Sequence, residues 1–205
     1  MMQQLNKFQT DAMSKLLNIG MGNAAHALNE LTNEKIELSA PNIALCNKQD
    51  TLNRINIPAN TSITVINESF SGLISGNASI VLSESQSLNF VRTLHHDDYF
   101  TLDYLTEVEY EAIAEIGNII LNACVGSIAN HLQQTICLSI PTCTTGKRSN
   151  LAASTPGTKR EEILYFHTLF TLKESNIKGY LRLLMDQASV SALKSELNRY
   201  FRNIN

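Results

Sequence analysis

The stretch EYEAIAEIGNIILNAC, residues 109–124, sets two carboxylates and two carboxamides at helical spacing: Glu111, Glu115, Asn118 and Asn122. Earlier in the chain, QTDAMSKLLNIGMGNA sets Asp11, Lys15, Asn18 and Gly22 in the corresponding places. A carboxylate offers charge, and a carboxamide offers a donor and an acceptor on one planar group. With Glu111 at zero and about 100° per residue, Glu115 falls near 40°, Asn118 near −20° and Asn122 near 20°. Ile113, Ile116, Ile120 and Cys124 fall between about 140° and 220°, an apolar stripe on the opposite side. The same construction puts Asp11, Lys15, Asn18 and Gly22 outward, with Met13, Leu16, Leu17, Gly20, Ala24 and Leu31 inward. Any surface helix shows polar residues opposite its stripe. Asparagine is nevertheless a poor helix-interior residue, because its amide competes for backbone groups. Its use at matching places in both stretches points to something outside the helix that it touches.

The elements that would carry these residues also recur. At an offset of 100, Asn18 falls on Asn118, Ile36 on Ile136, Leu38 on Leu138, Ser39 on Ser139 and Pro41 on Pro141. Gly76 matches Gly179 at an offset of 103, which implies about three inserted residues. The exposed-loop composition of TGKRSNLAASTPGTKR, 145–160, is the expected place for them. Each half reads as a long helix (about 6–32 and 105–133), an extended run up to the proline, a pair of strands, and a closing helix near 83–95 or 186–202. The strand pairs are SITVINESF with GNASIVL, and EEILYFHTLFTL with IKGYLRLLM; Ser83 and Asp186 are the expected N-caps. This order predicts an α+β (α/β layered) body whose halves are related by an approximate twofold.

Composition narrows the function. The chain has 205 residues, 43% hydrophobic and 17% charged, with a formal net charge of −3, and so favours neither nucleic acid nor anionic membrane. No apolar run is expected to reach the length of a membrane span, and no signal peptide opens the sequence, so the expected location is cytoplasmic. Cys46, Cys124, Cys137 and Cys143 form no CxxC pair, and the five histidines are scattered. Buried reduced thiols and no metal site are expected. The Gly146–Lys147 pair is no phosphate loop, because Pro141 and Arg148 stand where that motif needs Gly and Ser or Thr.

The patterns Glu111-x3-Glu115-x2-Asn118-x22-Pro141 and Asp11-x3-Lys15-x2-Asn18-x22-Pro41 resemble the signature of the CheC-type chemotaxis phosphatases and their relatives CheX and FliY. The neighbourhoods NIGMGNAAHAL and EIGNIILNA are also similar to CheC helices, and the resemblance spans nearly the whole chain. It implies one CheC-like domain over 1–205, made of two pseudo-repeats (about 1–100 and 101–205). The long motif helices would lie on one face of a mostly antiparallel sheet. It further implies a hydrolase acting on phosphorylated CheY-like receivers. Asn118 would orient the attacking water and Glu115 would pair with a receiver Lys. Asn18 would form a weaker second site, with Glu111, Asn122, Asp11 and Lys15 as partner contacts. No cofactor of its own is implied, since the receiver supplies Mg2+. CheD is a further implied partner, and a monomer is expected because the repeat already supplies the twofold pairing.

Lys15 departs from that pattern. Opposite a receiver Lys it turns attraction into repulsion, about 1 kcal/mol at 4 Å in water and about 4 kcal/mol at an effective dielectric near 20. The alternative reading is a non-catalytic module that binds or sequesters a phosphorylated receiver or CheD. Incorporation in the flagellar switch is less expected, because the sequence leaves no room for a FliY-type extra domain.

Overall fold

In the computed structural model, Thr106 and Glu109 form a capping box at the start of the helix that carries Asn118. Thr106 Oγ1 accepts from the Glu109 N–H at 3.4 Å, and the Glu109 carboxylate accepts from the Thr106 N–H at 2.6 Å. The structure describes residues 7–47, 51, 54–95, 105–149 and 162–202. The elements are α1 (Lys7–Thr32), β1 (Ile36–Leu38), β2 (Asn42–Asn47), β3 (Ser62–Gly72), β4 (Gly76–Ser83) and α2 (Glu84–His95). They continue with α3 (Glu107–Leu132), β5 (Ile136–Leu138), β6 (Thr142–Lys147), β7 (Glu162–Leu172), β8 (Lys178–Met185) and α4 (Gln187–Arg202). Asn33 and Gln133, with φ of 55° and 54°, take the left-handed conformation just past α1 and α3. Ser83 and Asp186 cap α2 and α4 as expected: Ser83 Oγ accepts from the Gln86 N–H, and Asp186 Oδ1 from the Ser189 N–H.

The eight strands form one sheet in the order β1-β7-β8-β4-β3-β5, with β2 also on β7 and β6 also on β3; every pairing is antiparallel. The first-half edge strands therefore pair with a second-half strand, and the reverse. Each edge contains a one-residue bulge at its proline. From Leu38 to Asn42 the edge advances four residues while β7 goes from Phe170 to His167, three residues. From Leu138 to Thr142 the same count runs against Phe70 to Asn67. A bulge suits proline, which has no N–H for the ladder. The serine two residues before each proline restores the pairing there. The Ser39 N–H donates to the Leu169 carbonyl and its Oγ accepts from the Leu169 N–H; Ser139 does the same with Ser69.

β2 and β6 were not foreseen, and TGK belongs to β6 rather than to a loop. Its Thr145 accepts a hydrogen bond from the Tyr110 hydroxyl of α3 at 2.8 Å. Arg148 and Ser149 follow β6, and residues 150–160 of the expected loop lie outside the described residues. The inserted residues are elsewhere. Phe70 pairs with Gly76, six positions on, whereas Phe170 pairs with Gly179, nine positions on. Three extra residues therefore sit in the β7–β8 turn, where buried Glu34 accepts from the N–H groups of Glu174 and Ser175.

The main core lies between the sheet and the helices. Ile66, Phe70, Ile80, Leu82, Leu164, Phe166, Leu181 and Leu183 meet Met13, Leu17, Leu28, Ile113, Ile120 and Cys124 there. Leu31 is half-buried, and Leu28 takes the inward place expected of it. Two glycines bring the layers together. A Cβ on Gly20 of α1 would stand 2.9 Å from the Cys124 carbonyl oxygen of α3, and one on Gly117 of α3 would stand 2.4 Å from Ile66 Cγ2. Asn23 ties α1 to α3 by donating to Ser127 Oγ at 2.6 Å. α3 is long and apolar enough by composition to cross a membrane, contrary to the expectation that no run reaches that range. Its apolar character has a local cause: one helix faces α1, β3, β4 and β6 at once.

Candidate functional site

On α1, Asp11, Lys15, Asn18 and Gly22 are all exposed along one line. On α3, Glu111, Glu115 and Asn122 are exposed and Asn118 is half-buried. All seven polar side chains singled out from the sequence thus stand on the surface of the two long helices. Beside each asparagine is an isoleucine of matched exposure, Ile19 at 38% and Ile119 at 39%. The two asparagine neighbourhoods therefore share an apolar contact and differ in charge, Lys15 against Glu115. They also differ one turn further on. Asn122 Nδ2 donates to Asn118 Oδ1, whereas α1 has Gly22 at that place.

Beneath α3 lies a residue the sequence reading missed. Glu68 of β3 is fully buried, and among the described residues neither carboxyl oxygen has a hydrogen-bond partner. Burial first, and the nearby Glu115 charge second, push its pKa up to about 7. Alternation along SITVINESF was the available signal, since it puts Glu68 on the same face as Ile66 and Phe70. The corresponding residue of β7, Thr168, is buried too but satisfied, donating from Oγ1 to the Ser39 carbonyl at 2.9 Å.

No disulfide joins any of the four cysteines, all of which are among the described residues. Cys46 and Cys124 are buried and Cys143 is half-buried, with burial pushing the Cys143 thiol up to about 11. Cys137 is exposed, which corrects the expectation of buried thiols: it lies on β5, at the edge of the sheet. Among the described residues no three His, Cys, Asp or Glu side chains come together as a metal site.

The assembled geometry has clear relatives among solved structures. FliY of Thermotoga maritima superposes with a TM-score of 0.77 at 14% identity, covering 97% of this chain and all of that one. The CheX–CheY complex with BeF3 and Mg2+ from Borrelia burgdorferi gives 0.56 at 14% identity, covering 84% of this chain and 98% of the other. The fold is that of the CheC, CheX and FliY proteins. No family model matches the chain. The FliG–FliM complex from H. pylori matches with a TM-score of 0.65 at 11% identity over 93% of this chain and 99% of that one. The structure thus agrees with the expected layering: the long helices pack on one face of an antiparallel sheet.

Proposed function

We propose that the protein is a phosphatase of phosphorylated CheY-like receivers in chemotaxis signalling, working in the cytoplasm through Asn118 and Glu115. One observation carries this reading: a carboxamide and a carboxylate sit one turn apart on the outward line of α3, in a fold shared with CheX solved together with CheY. A phosphorylated receiver holds its phosphoryl group on an Asp as an acyl phosphate, beside its own Mg2+ and Lys. Asn118 orients a water for in-line attack on phosphorus. The bond from phosphorus to the Asp oxygen breaks, inorganic phosphate leaves, and the carboxylate is regenerated. Glu115 pairs with the receiver Lys and sets the register. The protein's contribution is positioning, which lowers a barrier without covalent chemistry of its own. A carboxylate in place of Asn118 would repel the phosphoryl oxygens. A carboxamide holds water without that charge.

Asn18 forms a second and weaker site, since Lys15 faces the receiver Lys. Lys15→Glu is expected to raise activity, as read by phosphate release. No gain would place the defect of α1 elsewhere. A second reading, a binding module for a phosphorylated receiver, CheD or a switch protein, is favoured by Lys15 and by likeness to FliM, which is solved in complexes with FliG and SpeE. Phosphate release from a phosphorylated CheY-like receiver separates the two. Acceleration by substoichiometric protein is the expected result. Stable binding with unchanged or slower release would establish the module instead.

A further inference from the structure

The two asparagine helices differ at a second position besides Lys15 and Glu115. One turn beyond Asn118, the Asn122 side chain donates to the Asn118 carboxamide; one turn beyond Asn18 there is Gly22, with no side chain to offer. We propose that Asn122 is a positioning residue for Asn118, holding the plane of its carboxamide in the orientation that aims the water. The inference rests on the reading of Asn118 as the water-orienting group.

The physical ground is the softness of the terminal torsion. The χ2 of asparagine is broad and roughly twofold, so an unrestrained surface carboxamide turns through many orientations. Residues four apart on a helix are surface neighbours, and a donor fixed there selects one orientation. Oδ1 has two lone pairs, so accepting from Asn122 leaves one for a water proton, and the Asn118 NH2 stays free to donate. Turning both amides over exchanges donor and acceptor and leaves the plane fixed. α1 offers no such restraint to Asn18. Space does not forbid one: a Cβ on Gly22 would meet nothing within 4 Å. The second site is therefore unclamped as well as mischarged, and a clamp can be installed there.

The experiment is steady-state dephosphorylation of an acetyl-phosphate-charged CheY-like receiver by the full chain, with side-chain amide NMR of the same samples. Asn122→Ala is expected to lower kcat about three- to tenfold, the rate equivalent of one net hydrogen bond, with KM within twofold and Tm unchanged. Asn122→Gln, whose longer amide still reaches one turn back, is expected to recover most of the loss. In an Asn118→Ala background, Lys15→Glu with Gly22→Asn is expected to exceed Lys15→Glu alone by a similar factor. In the NMR, the Asn118 amide of the unaltered protein is expected to be ordered and the Asn18 amide mobile, with Asn122→Ala making the two alike. An unchanged kcat, or a loss confined to KM, overturns the proposal; the latter makes Asn122 a receiver contact. Equal order at Asn18 and Asn118 overturns it even in a protein that releases no phosphate. Absence of turnover in the unaltered protein overturns the phosphatase reading instead.

Discussion

Glu68 makes stability depend on pH in a direction opposite to that of a salt-bridged acid. Its folded pKa, about 7, lies above the ordinary value of 4.5. Between those values the unfolded chain releases the proton while the folded chain keeps it. Stability therefore falls as pH rises from about 4.5 and levels off above about 7, a loss of roughly 3 kcal/mol at full extent. Glu68→Thr copies the residue that β7 carries at Thr168, whose hydroxyl reaches the Ser39 carbonyl. It is expected to stabilise by about 1–3 kcal/mol at pH 8 and to change little at pH 5, as read from urea midpoints. An equal gain at both pH values would mean that proton binding at Glu68 is ordinary. The exposed line of Asp11, Lys15, Asn18, Glu111, Glu115 and Asn122 was legible from helical spacing alone. Glu68 was legible only as to its face. That no partner among the described residues satisfies its carboxyl group is a matter of tertiary packing under α3, which no local pattern records.

The two long helices were readable nearly to their ends because the apolar periodicity persists through 26 residues in each. β2 and β6 were not. NIALCN and TCTTGK lack clean alternation, and their strand character comes from pairing with β7 and β3 across the bulges. The three-residue insertion was misplaced for a related reason: an offset between two glycines gives a sum, and only strand register locates it. α3 offers a test of layer packing in which one kind of substitution has two signs. Gly117→Ala would bring its methyl to 2.4 Å from Ile66 Cγ2, and Ile66 is wholly buried. A loss of about 1–3 kcal/mol is expected. Gly126→Ala meets nothing within 4 Å, so the helix propensity of alanine acts alone and a gain approaching 1 kcal/mol is expected. Thermal midpoints of the two variants check both signs, and a loss in both would show that α3 has less room than its neighbours indicate.

On the sheet face away from the helices, the molecule holds a buried cation. Arg182 is 3% exposed; its Nε and Nη2 donate to Ser79 Oγ, Nη1 has no partner among the described residues, and burial draws its pKa down to about 10. Replacing such a group by an apolar one of similar volume commonly stabilises. Arg182→Met is thus expected to raise Tm, by an amount equivalent to about 1–3 kcal/mol, while phosphate release stays unchanged because the asparagine helices lie across the sheet. A lower Tm would show that the guanidinium is better compensated than its contacts indicate. The chain shares its fold with CheX and FliY and also with FliM, so the architecture alone does not choose between turnover and binding. That choice rests on one carboxamide. The direct measurement is the lifetime of the phosphorylated receiver with the unaltered protein, with Asn118→Ala and with Asn18→Ala, each alongside its affinity for the receiver. The expected result is that Asn118→Ala still binds within about threefold yet returns the lifetime most of the way to that of the receiver alone, the weak Asn18 site accounting for the remainder, while Asn18→Ala shortens it nearly as well as the unaltered protein. A lifetime shortened as strongly by Asn118→Ala as by the unaltered protein would contradict it.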